Sequence, residues 1–266
     1  MGEEPERGGA VSGRCPSGPS ATWPVVTGGG AGAWHHRGVR VHRNFGFIDL
    51  SGFTALTESE GDERAVGVVS SFRALVRDIC SRRGVRIAKW LGDGAMLVAV
   101  DGTPLLAATL ELQHATAAVR LPSAVRCGVS SGRVILLEGD DYMGHAVNVA
   151  ARLCDLAPGR VVFATDAIVG ELPKWGAVLS TEETVVRGLE RPLTVSSIGL
   201  RPLDGVVRPD PICGIPLTAL VAEESAIDGL GHELWFCSES CRDTWERRPR
   251  PALDTQGSPR MPLIGS

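Results

Sequence analysis

The features that most constrain the fold of this sequence are two apolar, strand-like runs, each of which leads to an aspartate. FGFIDLSGFTAL (Phe45–Leu56) carries Asp49, and KWLGDGAMLV (Lys89–Val98) carries Asp93 in a Gly-Asp-Gly turn. A strand ending in a carboxylate exposes a hard oxygen ligand at the rim of a sheet, and the glycine turn leaves its acid without a bulky neighbour. Each acid alone is more simply a turn or cap residue, since Asp beside Gly is common in hairpins. Jointly they predict a divalent-metal site.

Length and composition exclude several classes of protein. A chain of 266 residues accommodates one ordinary domain and a smaller one, and its 43% hydrophobic and 22% charged residues are typical of folded globular proteins. The net charge of -4 and the lack of a basic stripe argue against a nucleic-acid partner. No run of about 18 uncharged apolar residues and no signal-peptide core occur, so we expect no membrane span and a cytoplasmic location.

Changes in composition divide the chain into five parts. We expect a disordered Gly/Pro-rich tail at 1–38, an α+β domain at 41–200, a Pro-punctuated linker at 201–209, a small module at 210–249 and a second disordered tail at 250–266. Hydrophobic periodicity predicts helices at 63–81, 104–119 and 147–156. Strands are predicted at 41–50, 85–91, 95–100, 125–137 and 161–164, and within 185–200. This order predicts a ferredoxin-like α+β sheet with additions.

A third motif, GDDYMGHAVNVAARL, supplies an acid, an amide and a guanidinium on a turn that leads into a helix. Asn148 and Arg152 are four residues apart, which places them on one helix face. Alone, such a pair is more simply an exposed polar face.

In this order, the three motifs resemble those of the class III nucleotidyl cyclases, the adenylate and guanylate cyclase family, over roughly residues 41 to 200. The resemblance implies that Asp49, Asp93 and the backbone carbonyl of Ile48 bind two Mg²⁺ or Mn²⁺ ions per active site. These ions would activate the ribose 3′-hydroxyl and hold the triphosphate.

The resemblance also assigns the base-reading residues. Lys89 matches the lysine that donates to adenine N1, and Asp141 matches the acid that accepts from the 6-amino group. The neighbouring Asp140 is the alternative to Asp141. Guanylate cyclases commonly carry Glu and Cys at these two positions, so this pair predicts ATP as the substrate.

The remaining matched residues concern the ribose and the phosphates. Asn148 would orient the ribose, and Arg152 would stabilise charge on the α-phosphate in the transition state. Arg133 matches a position that binds the terminal phosphates in some members. Arg187 and Arg191 either serve the same end or lie on a solvated strand edge. Because the family builds each active site from two cyclase domains, a homodimer with two equivalent sites is implied.

The C-terminal segment contains DPICGIPL followed by WFCSESCRDTWERRP and resembles the YHS domain, a small treble-clef-like metal-binding module. Cys213, Cys237 and Cys241 would bind Zn²⁺ or another soft metal, which so short a segment usually needs in order to fold. The alternative is three buried, reduced cysteines. His232 is either a fourth ligand or an ordinary surface residue.

Two functions therefore remain open. The first is an adenylate cyclase that converts ATP to cyclic AMP and pyrophosphate and carries a C-terminal metal-binding module. The second is a catalytically silent cyclase-like, nucleotide-binding domain in a metal or redox sensor. Silent members of the family usually lose a metal acid or a transition-state residue, and this chain retains the full set, which favours the enzyme. The six retained residues are Asp49, Lys89, Asp93, Asp141, Asn148 and Arg152.

Overall fold

A computed structural model describes residues 39–137 and 141–248. The tails predicted at 1–38 and 250–266, together with Asp140, lie outside the described residues. Within the described ranges, no helix combines the length and the apolar character needed to cross a lipid bilayer.

The larger part of the fold contains eight strands and five helices among the described residues. The strands are β1 (Val39–Ser51), β2 (Arg86–Leu91), β3 (Gly94–Ala99), β4 (Ala124–Leu137), β5 (Asp141–Met143), β6 (Val162–Thr165), β7 (Gly176–Thr184) and β8 (Leu193–Leu200). The helices are α1 (Phe53–Glu60), α2 (Asp62–Arg83), α3 (Gly102–Ala118), α4 (His145–Leu156) and α5 (Asp166–Val169).

The strands form one sheet in the order β2-β3-β1-β4-β6-β8-β7, with β5 paired to β4. Strands β2, β3, β1 and β4 pair antiparallel throughout, which is the ferredoxin-like core that the sequence predicts. Strand β3 is buried at all six positions because helices cover both faces of the sheet. Leu97 belongs to the cluster containing α2 and α3, and the adjacent Met96 to the cluster containing α4.

Four elements of the larger part were not predicted, namely α1, β5, α5 and β7. Strand β5 and helix α5 contain only three and four residues, which is too short for a periodic pattern. Helix α1 buries none of its residues, so it shows no apolar periodicity. Strand β7 lies at the edge of the sheet and exposes most of its side chains, so its sequence lacks the alternation of a half-buried strand.

The C-terminal segment packs against the side of the fold that α2 and α3 cover. It contains β9 (Arg208–Pro209), β10 (Pro216–Leu217), β11 (Glu224–Ile227), β12 (Glu233–Phe236) and α6 (Glu239–Glu246). Ile215, Leu217 and Phe236 are fully buried in the same hydrophobic cluster as Phe72 and Leu105 of the two helices. Cys237, which directly follows β12, therefore faces Arg83 at the end of α2 rather than solvent.

Candidate nucleotide and metal sites

The structure brings the two predicted metal acids together at the end of β1. In the β1–β3 ladder Ile48 pairs with Ala95, so Asp49 lies beside the turn that precedes β3. A Cβ added to Gly94 would lie only 2.6 Å from the carbonyl oxygen of Ile48 and 3.0 Å from Oδ1 of Asp49. Glycine is needed at this close approach, which sets Asp93 next to Asp49 and to the Ile48 carbonyl.

The electrostatics of this site favour a cation between the acids. The pKa of Asp93 is raised, first by burial and then by the negative charge of Asp49. Two adjacent carboxylates and a backbone carbonyl form a set of hard oxygen donors, which is the chemistry that Mg²⁺ and Mn²⁺ require. The residues present therefore fit the divalent ions that the resemblance implies.

Arg126 is a member of this site that sequence reasoning missed. It lies opposite Asp49 in the β1–β4 ladder, and its Nη2 and Nε lie 2.6 and 2.9 Å from Asp49 Oδ2. Its Nη1 donates to the carbonyl oxygen of Asp155 near the end of α4, at 3.1 Å. Arg126 therefore balances one carboxylate charge and leaves Oδ1 of Asp49 directed at the glycine turn.

Arg73 of α2 is a second unpredicted contributor. Its Nη2 donates to the carbonyl oxygen of Gly92 at 2.8 Å, and its guanidinium carbon lies 5.0 Å from the centre of the Trp90 ring. The turn carrying Asp93 is thus tied to the helix behind it. No sequence pattern links Arg73 to a turn 19 residues further along the chain.

The two predicted base-reading residues contact each other. Lys89 of β2 and Asp141 of β5 form an ion pair with Nζ and Oδ2 2.7 Å apart, and both side chains are nearly half exposed. Lys89 lowers the pKa of Asp141 by its hydrogen bond, and the backbone N–H of Tyr142 adds to the effect by donating to Oδ1 at 2.8 Å. A donor-only and an acceptor-only group therefore lie together at an accessible surface.

The residues predicted to contact the ribose and the phosphates are all exposed. Asn148 and Arg152 lie in α4, where Arg152 is 3.5 Å from the carboxylate of Asp155. Arg133 lies in β4, and Arg187 and Arg191 lie in the connection between β7 and β8. Since Asp155 also contacts Arg126, the end of α4 is adjacent to the metal acids.

The C-terminal cysteines form a compact cluster. The Sγ atoms of Cys213 and Cys237 are 3.4 Å apart, and those of Cys237 and Cys241 are 3.6 Å apart. Four thiolates around a tetrahedral Zn²⁺ with bonds of about 2.3 Å would be separated by about 3.8 Å. The pKa of Cys241 is lowered because Cys213 and Cys237 donate to its sulfur, so the cluster favours one thiolate even without an ion.

Asp210, rather than His232, is the fourth group at this cluster. A carboxylate oxygen of Asp210 and the three sulfurs all lie within 4.8 Å of one another. Asp210 is buried, and it accepts from the backbone N–H groups of Ile212, Cys213 and Cys237 at 2.7 to 3.2 Å. His232 is instead directed at Asp228, 3.1 Å away.

Comparisons with known proteins agree with this architecture. No protein-family profile matches the sequence. The chain is 35% identical over 149 residues to an uncharacterised protein of Mycobacterium tuberculosis, covering 56% of this chain and 39% of that protein. It is 34% identical over 127 residues to an adenylate cyclase of Streptomyces coelicolor, covering 48% of this chain and 33% of that protein. The chain thus spans between a third and two fifths of the length of these relatives.

Solved structures show the same fold. The adenylyl cyclase CyaB from P. aeruginosa superimposes with a TM-score of 0.55 at 19% identity, over 63% of this chain and 96% of that chain. The guanylyl cyclase Cya2 gives 0.53 at 19% identity, over 62% of this chain and 95% of that chain. The fold is that of the class III nucleotidyl cyclases. One of these enzymes is an adenylyl cyclase and the other a guanylyl cyclase, so the fold alone does not identify the nucleotide.

Proposed function

We propose that this chain is an adenylate cyclase that converts ATP to 3′,5′-cyclic AMP and pyrophosphate. The observation that carries the proposal is that Asp49 and Asp93 lie beside each other on the fold of the nucleotidyl cyclases, with the pKa of Asp93 raised by burial and by the charge of Asp49. The S. coelicolor relative, itself named an adenylate cyclase, supports this reaction class.

The proposed reaction joins the ribose 3′-oxygen to the α-phosphorus while the bond from that phosphorus to the bridging oxygen breaks, releasing pyrophosphate. Asp49, Asp93 and the Ile48 carbonyl would hold two Mg²⁺ or Mn²⁺ ions, which supply Lewis acidity to the 3′-hydroxyl and the triphosphate. Asn148 orients the ribose, and Arg152 stabilises the charge that builds on the α-phosphate. The ion pair of Arg152 with Asp155 is long and exposed, so it can yield to a phosphate at little cost.

ATP is the proposed nucleotide because of the Lys89–Asp141 pair. Lys89 donates to adenine N1 and Asp141 accepts from the 6-amino group. Guanine presents a donor at N1 and an acceptor at O6. Lys89 would therefore face a second donor, and Asp141 would face a second acceptor. Arg133 is proposed to bind the terminal phosphates.

The active unit is proposed to be a homodimer. Each site would take Asp49 and Asp93 from one subunit and the base-reading and transition-state residues from the other, as in the cyclases that the sequence resembles. We place the reaction in the cytoplasm, whose reducing conditions suit the free thiols of the C-terminal cluster.

Residues 210–249 are proposed to form a YHS-like metal-binding module that holds Zn²⁺ or another soft metal. Cys213, Cys237 and Cys241 supply the thiolates, and Asp210 is placed to complete four-coordination. Incubating the purified chain with ATP and Mn²⁺ and measuring cyclic AMP tests the enzymatic proposal. Cyclic AMP is expected with ATP, and GTP should yield little cyclic GMP.

A further inference from the structure

The cysteine cluster is in contact with a cation from the cyclase fold itself. Arg83 is the last residue of α2, and its Nη2 lies 3.0 Å from Sγ of Cys237 and 4.0 Å from Sγ of Cys213. Its Nη1 lies 3.4 Å from the hydroxyl of Ser238. The guanidinium therefore reaches across the boundary between α2 and the C-terminal segment.

A buried carboxylate fixes the position of Arg83. Oε2 of Glu111 in α3 accepts from Nε of Arg83 at 2.8 Å and lies 2.7 Å from its Nη2, and both side chains are almost completely buried. The ring of Trp175 lies 5.5 Å from the guanidinium carbon, and its Nε1 donates to the carbonyl oxygen of Cys237 at 3.0 Å. This buried ion pair and the ring of Trp175 hold the planar guanidinium in one orientation, with an N–H directed at the sulfur of Cys237.

The charges at the cluster require such a partner. Three thiolates and the Asp210 carboxylate together carry twice the negative charge that a divalent ion neutralises. In a buried site the excess charge is costly unless a hydrogen-bond donor or a cation offsets it. Arg83 supplies both a hydrogen-bond donor and a positive charge at Cys237.

A cavity lies next to the cluster, beside Arg83. This cavity of about 400 Å³ lies between α3 and the C-terminal segment and is lined by Arg83, Cys237, Ser238 and Thr103. Glu223 and Glu239 also line it and favour the entry of a cation. The cavity therefore reaches the edge of the cluster at Cys237.

We propose that Arg83 is part of the cysteine metal site: by donating to Cys237 it stabilises the metal–thiolate cluster, so helix α2 of the cyclase fold determines how tightly the C-terminal segment binds its ion. This inference rests on the metal site put forward under the proposed function. It predicts that metal affinity depends on a residue outside the C-terminal segment.

Titration of the full chain with Co²⁺, followed by the thiolate-to-cobalt charge-transfer absorption and by competition with a chelator, tests this proposal. Arg83→Met and Arg83→Gln both remove the charge, the first with an apolar and the second with a polar side chain. Each should lower Co²⁺ affinity about 10- to 100-fold and shift the charge-transfer band. Arg83→Lys should recover part of the affinity, because it restores the charge without the fork.

Arg82→Met is the matched control. Arg82 is the adjacent residue and pairs with the same Glu111, but its hydrogen bonds go to Glu111 and Asp78. Its loss should leave the absorption band unchanged. Wild-type affinity and an unshifted band in a folded Arg83→Met or Arg83→Gln chain would overturn the role of Arg83 alone. A wild-type chain that binds no Co²⁺ through its thiolates would overturn the metal site and this inference together.

Discussion

Arg73 donates a hydrogen bond to the carbonyl oxygen of Gly92 at 2.8 Å, from the interior of α2 to the turn that carries Asp93. The same helix ends at Arg83, against the cysteine cluster. Helix α2 therefore contacts both candidate metal sites, and each contact can be tested by itself.

Arg73→Met should lower the turnover of ATP about tenfold or more, because a displacement of the Asp93 carboxylate by a fraction of an ångström misplaces the reacting groups. The free energy of unfolding should change by only about 1 kcal/mol. Arg77→Met is the control, since Arg77 also lies over Trp90, at 5.2 Å. Rates and urea unfolding are measured for both variants, and an equal loss of rate in the two would exclude a specific role for the Gly92 contact.

The titration of Asp93 should report its proximity to Asp49. Its pKa is raised by burial and by Asp49 and lowered by Arg126, so carboxyl NMR of the metal-free chain should show a midpoint above the ordinary value of about 3.9. Arg126→Met should raise the midpoint further. Because the folded pKa exceeds the unfolded one, the stability gained from protonated Asp93 is present at low pH and is lost as pH rises through the folded pKa. An Asp93 midpoint below the ordinary value would contradict this geometry.

The sequence predicted the strands that carry Asp49 and Lys89 and the turn that carries Asp93, because buried strands ending in turns leave a clear local pattern. It did not predict Arg73, Arg83 or Arg126, whose partners lie 19 to 154 residues away and depend on packing between elements. The sequence placed Asp210 only at the start of the small module. Its position as the fourth group of the cysteine cluster depends on the fold, which sets it against three backbone N–H groups near the sulfurs.

Base preference should follow from the Lys89–Asp141 pair. Unpaired polar groups cost roughly 1 to 3 kcal/mol each in a closed pocket, which corresponds to a preference of about a hundredfold or more for ATP over GTP in kcat/KM. The double variant Lys89→Glu with Asp141→Cys should erode this preference with some loss of rate. Equal use of ATP and GTP by the unaltered chain would show that these residues do not read the base.

Mixing two inactive variants should reveal the shared site. If each site draws on both subunits, Asp49→Ala combined with Asn148→Ala gives heterodimers in which one site retains every proposed residue. The mixture should therefore form cyclic AMP well above either variant alone. A mixture that stays inactive, although subunit exchange is shown by mass spectrometry, would exclude the shared-site arrangement.

The most direct test of the account is the formation of cyclic AMP and pyrophosphate from ATP and Mn²⁺ by the unaltered chain, beside Asp49→Ala and Asp93→Ala. We expect the two products in equal amounts from the unaltered chain, and loss of nearly all activity in both variants with the fold retained, because the 3′-hydroxyl is not activated without its ions. Absence of cyclic AMP from the folded, unaltered chain, or substantial activity in folded Asp49→Ala, would contradict the account.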